Sequence, residues 1–203
     1  MEKYPELFCE RILAMEKEDL RLLERLQQSG ELQKYGYHPA LKKLHAQNGA
    51  ALKEMISRCG FPTLKNAGAE VFSAAWRIVQ HNIGDPAFMK SCFSLFGRYS
   101  YEEIPLKERA YLEDRIAFYE RRPQRFGTQF DYDLNGNMTV WRLADRAETA
   151  RLRALAGLPP LEEAEEAFRK TPSVSAERAR EMREEQERWL EETGWCTKKD
   201  IEK

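Results

Sequence analysis

Residues 66–83 read NAGAEVFSAAWRIVQHNI, a segment apolar on most sides. A helix of that kind cannot lie on a surface and must be surrounded by other helices. The chain supplies them. Leu7, Phe8, Ile12, Met15, Leu22, Leu23 and Leu26 recur at helical spacing and predict a first helix over 5–28. A second is expected from Pro39 to Arg58, closed by Gly60 and Pro62. Asp85-Pro86 reads as an N-cap followed by proline at the first helical position, opening a fourth helix. Pro105 opens a fifth, LKERAYLEDRIAFYER.

After Pro123 the texture changes. FGTQFDYDL and MTVWRL flank Asn135-Gly136 and predict one small antiparallel hairpin near 126–142. Asp145 and Glu148 form a capping-box pattern ahead of TARLRALAGLPP. From residue 162 the chain is densely charged, and SAERAREMREEQERWLEETGW predicts a solvated helix anchored by Met182, Trp189 and Leu190. The expected fold is therefore mainly α: a bundle of about five helices, one small β-hairpin and a charged C-terminal helix. The expected organisation is a single domain over 1–165 and a helical extension over 166–203.

Composition excludes several classes. A formal net charge of -1 gives no global field for nucleic acid or anionic lipid. No apolar run approaches the ~20 residues that span a bilayer. MEKYPELFCERILAMEKED lacks the hydrophobic core of a signal peptide, so a cytoplasmic location is expected. Cys9, Cys59, Cys92 and Cys196 have neither zinc-knuckle nor CxxC spacing and read as free thiols. There is no GxSxG and no Walker loop.

Polar residues stand where apolar ones are expected. In the second helix Leu41, Leu44, Leu52, Met55 and Ile56 define a stripe, and His45 and Asn48 fall inside it. Polar groups so placed need partners. His81 follows Gln80 at the edge of the buried face of the third helix, at its C-terminal end. There it is either a residue favoured by the macrodipole or a site residue able to exchange a proton near neutral pH. In the fifth helix Glu113, Asp114 and Arg115 read as surface charge unless Asp114 turns inward. The densest polar stretch is QRFGTQFDYDLNGN, residues 124–137. Gly127 permits a close approach of the backbone, and Thr128 and Gln129 are expected to enter the first strand on alternate faces. Gln124, Gln129 and Asp131 can read a small polar ligand or tie the hairpin to the helices.

The segments HAQN at 45–48, GFPT at 60–63, AAWRIVQH at 74–81, LEDRI at 112–116, RRPQRFGTQFDYD at 121–133 and GLPPL at 157–161 occur in this order. Together they resemble a bacterial domain-of-unknown-function family, DUF6624, over roughly residues 5–165. The family more usually reads YGTQ where this chain has Phe126, which implies a ring that packs. The resemblance implies a shared fold and a shared polar constellation of His45, Asn48, Gln80, His81, Asp114, Arg115, Gln124, Thr128 and Gln129, and no particular reaction.

The reading that follows is an enzyme of hydrolase or lyase type, or a small-molecule-binding protein, with its pocket between helices and hairpin. His81 or His45 would be general acid or base. Asp114 would orient an imidazole or hold Arg115. Arg115, Gln124, Thr128, Gln129, Asn48 and Gln80 would bind a small polar ligand, Arg115 through paired hydrogen bonds to a carboxylate or phosphate. One alternative is a non-catalytic interaction domain whose polar motif is a structural network and whose charged C-terminal helix meets a protein partner. A second is a metal site of His45 and His81 with Glu113 or Asp114, although no HExxH or ExxH motif is present. The sequence specifies no cofactor.

Overall fold

The structure is a computed structural model that describes residues 3–32 and 37–197. It is mainly helical, with one two-stranded antiparallel sheet among the described residues. The chain divides into two compact units, residues 1–104 and 105–203. The boundary falls inside the span 1–165 that the sequence reads as one domain. Four of the five expected bundle helices make the first unit, and the fifth belongs to the second.

The first unit contains α1 (Glu6–Gln28), α2 (Pro39–Cys59), α3 (Ala69–His81) and α4 (Pro86–Phe96). As its composition requires, α3 packs against α1, α2 and α4. Its Ala74, Ala75 and Val79 are fully buried, with Ile12 of α1, Leu52 of α2 and Met89 of α4. Phe61, in the connection after α2, sets its ring edge-on against Phe96 at 4.8 Å, within the range where aromatic pairs attract. Asp85 caps α4 by accepting from the Phe88 amide at 2.9 Å, with Pro86 at the first helical position. Among the described residues no helix is long and apolar enough to cross a membrane. All four cysteines are free thiols, and only Cys92 is buried.

The second unit contains α5 (Leu106–Tyr119), β1 (Phe130–Tyr132), β2 (Met138–Val140), α6 (Arg146–Leu155), α7 (Leu161–Arg169) and α8 (Ala176–Thr193). The strands pair Phe130 with Val140 and Tyr132 with Met138. They are shorter than the expected hairpin, and Thr128 and Gln129 precede β1 instead of entering it. The reason is that the amides just before β1 are bonded to side chains, as described below, and do not form ladder bonds. Helix α7 was not expected from so charged a segment. It is held by Leu161, 1% exposed, and by Phe168, whose ring stacks on Phe130 at 3.9 Å.

The C-terminal segment docks more widely than the three anticipated anchors allow. Ala179, Leu190 and Trp195 are all buried. Tyr119 of α5 meets both Trp189 and Trp195, at 5.6 and 5.1 Å between centroids. Arg183 donates to the Tyr132 carbonyl at 3.1 Å, and the Val174 amide donates to the Gly136 carbonyl at 3.0 Å. A tail with these partners is part of the second unit.

Gly49 offers a test of the first unit's packing. It sits in the middle of α2, where alanine is ordinarily favoured by roughly 0.5–1 kcal/mol. A Cβ at Gly49 would meet Asn82 Nδ2 at 1.9 Å, and Asn82 is 2% exposed. Gly49→Ala is therefore expected to lower the urea midpoint. A gain in stability would show that Asn82 can move aside.

Candidate functional site

Residue 19 is the centre of the first unit's polar cluster. Ile12, Met15, Asp19 and Leu26 form the buried face of α1, so Asp19 occupies a position of the apolar stripe. It is 1% exposed. A carboxylate removed from water requires donors, and two neighbouring helices provide one each. His45 on α2 approaches through Nε2, 2.8 Å from Asp19 Oδ1. His81, the last residue of α3, approaches through Nδ1, 2.5 Å from Oδ2. The two imidazoles lie 5.4 Å apart between centroids. The far nitrogen of His45, Nδ1, lies 2.8 Å from the Tyr37 hydroxyl.

Burial works against the Asp19 charge. The hydrogen bonds from His45 and His81, and their attraction, outweigh it and hold the carboxyl well below the usual carboxylate range. The two histidines differ in access. His45 is 6% exposed and His81 24%. Asn48, one turn on from His45, is buried and reaches the Met15 carbonyl only at 3.5 Å. Gln80 is buried in α3.

The remaining residues singled out by sequence belong to the second unit. Asp114 does turn inward and is fully buried on α5, while Glu113 pairs with Arg125 at 3.0 Å. Asp114 accepts from the amides of Arg125, Phe126 and Thr128 and from the Thr128 hydroxyl, at 2.9–3.1 Å. Burial pushes this carboxyl above its ordinary value, and the four donors pull it back. Gln124, also fully buried, donates to the carbonyls of Gln129 and Trp141 and accepts from the Gln129 amide, each at 2.9 Å. The Gln129 side chain donates to Thr128 Oγ1 at 3.0 Å. Arg153 closes the set by donating to the carbonyls of Phe126 and Gly127, at 2.7 and 3.0 Å. Arg115 follows Asp114 on α5, near enough to Tyr119 to oppose the upward push of burial on that phenol.

Gly127 has φ +66°, and a Cβ there would meet Leu161 Cδ1 at 2.8 Å. Its missing side chain admits Leu161 of the second unit's own core. Phe126 is 2% exposed and packs with Ala110, Leu152, Ala156 and Leu158, so its ring is a core element.

The sequence model of a family described as "Family of unknown function (DUF6624)" matches residues 6–171. The chain belongs to DUF6624. The match spans both the Asp19 cluster and the Asp114 loop, and it ends before α8. No curated protein and no solved structure matches the chain. Membership in DUF6624 names no reaction, so the chemistry must be read from the geometry.

Asp19 and Tyr37 were missed by the sequence reading. Asp19 had a signal: it lies seven residues after Ile12, four after Met15 and seven before Leu26, a carboxylate at a position where the periodicity calls for an apolar side chain. Tyr37 lies in a connecting loop and has no periodicity to mark it.

Two outcomes test these assignments. Asp114→Ala leaves three amides and a hydroxyl without their acceptor, at roughly 1–3 kcal/mol for each group that stays dry. A loss of about 3 kcal/mol or more in denaturant melts is expected, and a loss below about 1 kcal/mol would contradict the network. For Asp19 the folded carboxyl is the stronger acid. The stability it contributes is present above the unfolded value of about 4 and is lost as pH falls from there through the lower folded value. Asp19→Asn should flatten that acid limb of a urea-midpoint profile, and an unchanged slope would contradict the assignment.

Proposed function

We propose that the first unit carries a general acid–base site, of hydrolase or lyase type, at which His81 exchanges a proton with a small polar ligand. The observation that supports it is a buried carboxylate shared by two imidazoles, only one of which reaches solvent. Ionised Asp19 accepts and cannot donate. Each histidine therefore turns an N–H toward it: His45 from Nε2, His81 from Nδ1. The Tyr37 hydroxyl then donates to His45 Nδ1, and both His45 nitrogens are committed. His45 is a positioning residue. In His81 the proton on Nδ1 leaves the lone pair on Nε2, the nitrogen that does not face Asp19.

A carboxylate on the Nδ1 side of an imidazole fixes ring orientation and tautomer and stabilises the imidazolium formed when Nε2 takes a proton. A positioned group of this kind contributes roughly 10²–10⁴-fold to a proton-transfer step. In this reading Asp19 has the orienting role that the sequence suggested for Asp114.

The tautomers test it without a known substrate. Long-range ¹H–¹⁵N spectra of the metal-free protein, recorded where both rings are neutral, should show His45 protonated on Nε2 and His81 on Nδ1. The Nδ1–H form is the minor one for a free imidazole, so its presence at His81 would be diagnostic. If His81 is found protonated on Nε2, Asp19 does not orient it and the reading fails.

A further inference from the structure

We infer that the Asp19–His45–His81 cluster also takes a divalent first-row transition-metal ion in place of the two protons that the imidazoles direct at Asp19. One ligand atom from each side chain lies within 4.8 Å of the others. The three come from three different helices, so the set is held by packing of α1, α2 and α3 and not by a mobile loop. Asp19 and His45 are buried and His81 is partly exposed, which leaves one approach open. Three protein ligands with a remaining open position is the pattern of a catalytic rather than a structural ion.

The geometry needs a small change. A tetrahedral ion at about 2.0–2.1 Å from each donor separates those donors by roughly 3.3 Å. The present contacts run to different oxygens of Asp19, 2.8 Å from His45 Nε2 to Oδ1 and 2.5 Å from His81 Nδ1 to Oδ2, and the three donor atoms lie within 4.8 Å of one another. The short contacts must open and the wider ones close, by at most about 1.5 Å, a range within the reach of side-chain rotation.

The protons balance. Each ring keeps one proton, moved from the nitrogen facing Asp19 to the far nitrogen. At His45 that proton arrives on Nδ1, where the Tyr37 hydroxyl reverses its role and accepts it. An outer partner of this kind is what a metal-bound imidazole ordinarily has. At His81 it arrives on Nε2. Two imidazoles and a carboxylate suit zinc, iron(II) or cobalt(II) better than magnesium or calcium, which favour oxygen ligands. The inference uses the side chains of the acid–base reading but not its chemistry. The ion removes the bond that orients His81, so a loaded site is a silenced acid–base site.

The test titrates zinc into the full chain after chelator treatment, by calorimetry, with magnesium as control. Saturable binding of one zinc per chain is expected, with none for magnesium. His81→Gln and Asp19→Asn should each weaken it at least tenfold. His81→Gln is the decisive variant because its side chain is the more exposed and its melt can be checked first. His38→Asn should leave binding unchanged, since His38 caps α2 and faces Glu31 instead. Zinc should also invert the ¹⁵N pattern, placing the proton on Nδ1 of His45 and on Nε2 of His81. Absence of saturable uptake, uptake that survives His81→Gln, or uptake lost with His38→Asn would each overturn the ion site. If the metal-free tautomers are as expected but zinc does not bind, only this inference falls. If zinc binds while metal-free His81 carries its proton on Nε2, the ion site stands and the acid–base reading falls.

Discussion

A carboxylate taken out of water has to find its donors within the chain, and each unit of this protein is arranged around one that does. Asp19 is 1% exposed and Asp114 is fully buried. Left unpaired, either would cost several kcal/mol or give up its charge. The two are satisfied by different kinds of donor. Asp114 is met by backbone amides and a threonine hydroxyl, groups that do not titrate. Asp19 is met by two imidazoles, groups that do. The first arrangement holds a loop in place, and the second is the one on which the proposed acid–base reading rests.

This difference accounts for the polar stretch at 124–137. It spends so many hydrogen-bonding groups because it carries three consecutive tasks. Amides at 125, 126 and 128 bind Asp114, and the Gln124 side chain ties residues 129 and 141 together ahead of the hairpin. Asp133 Oδ1 then accepts from the amides of Asn135 and Asn137 and shapes the turn. Gly127 lets Leu161 close over the loop, and Arg153 binds the carbonyls that face the other way. Such a network is over-determined, since each group is held by at least one neighbour that is itself held.

Much of the fold was legible because it rests on local signals. Helical spacing marked α1 to α5, Asp85-Pro86 marked the start of α4, and Asn135-Gly136 marked the hairpin turn. Helix α7 was illegible because its few apolar residues lie among charges, and what fixes it is Leu161 against the loop and Phe168 against Phe130, both distant in sequence. Of the site residues, His45 and Asn48 were legible as polar breaks in an apolar stripe. Asp19 is the same kind of break on α1 and was readable by the same rule. Which carboxylate meets which imidazole was not readable, because that is decided by helix packing. The roles of Gln124, Thr128 and Gln129 were equally open, since a ligand-reading group and a loop-tying group have the same composition and differ only in their partners.

Asp114 and Gln124 make the segment around Gly127 architecture, while the proposed proton chemistry rests with Asp19, His45 and His81. Amide hydrogen exchange resolved to single residues tests the architectural half. The amides of Phe126, Thr128 and Gln129 lie outside regular secondary structure, yet each is bonded to a buried side chain. They are expected to exchange as slowly as the amides in the middle of α5, opening only when the second unit unfolds. Exchange at the rate of an unprotected loop would mean that Asp114 and Gln124 do not hold the segment, and would return those side chains to the list of groups free to meet a ligand.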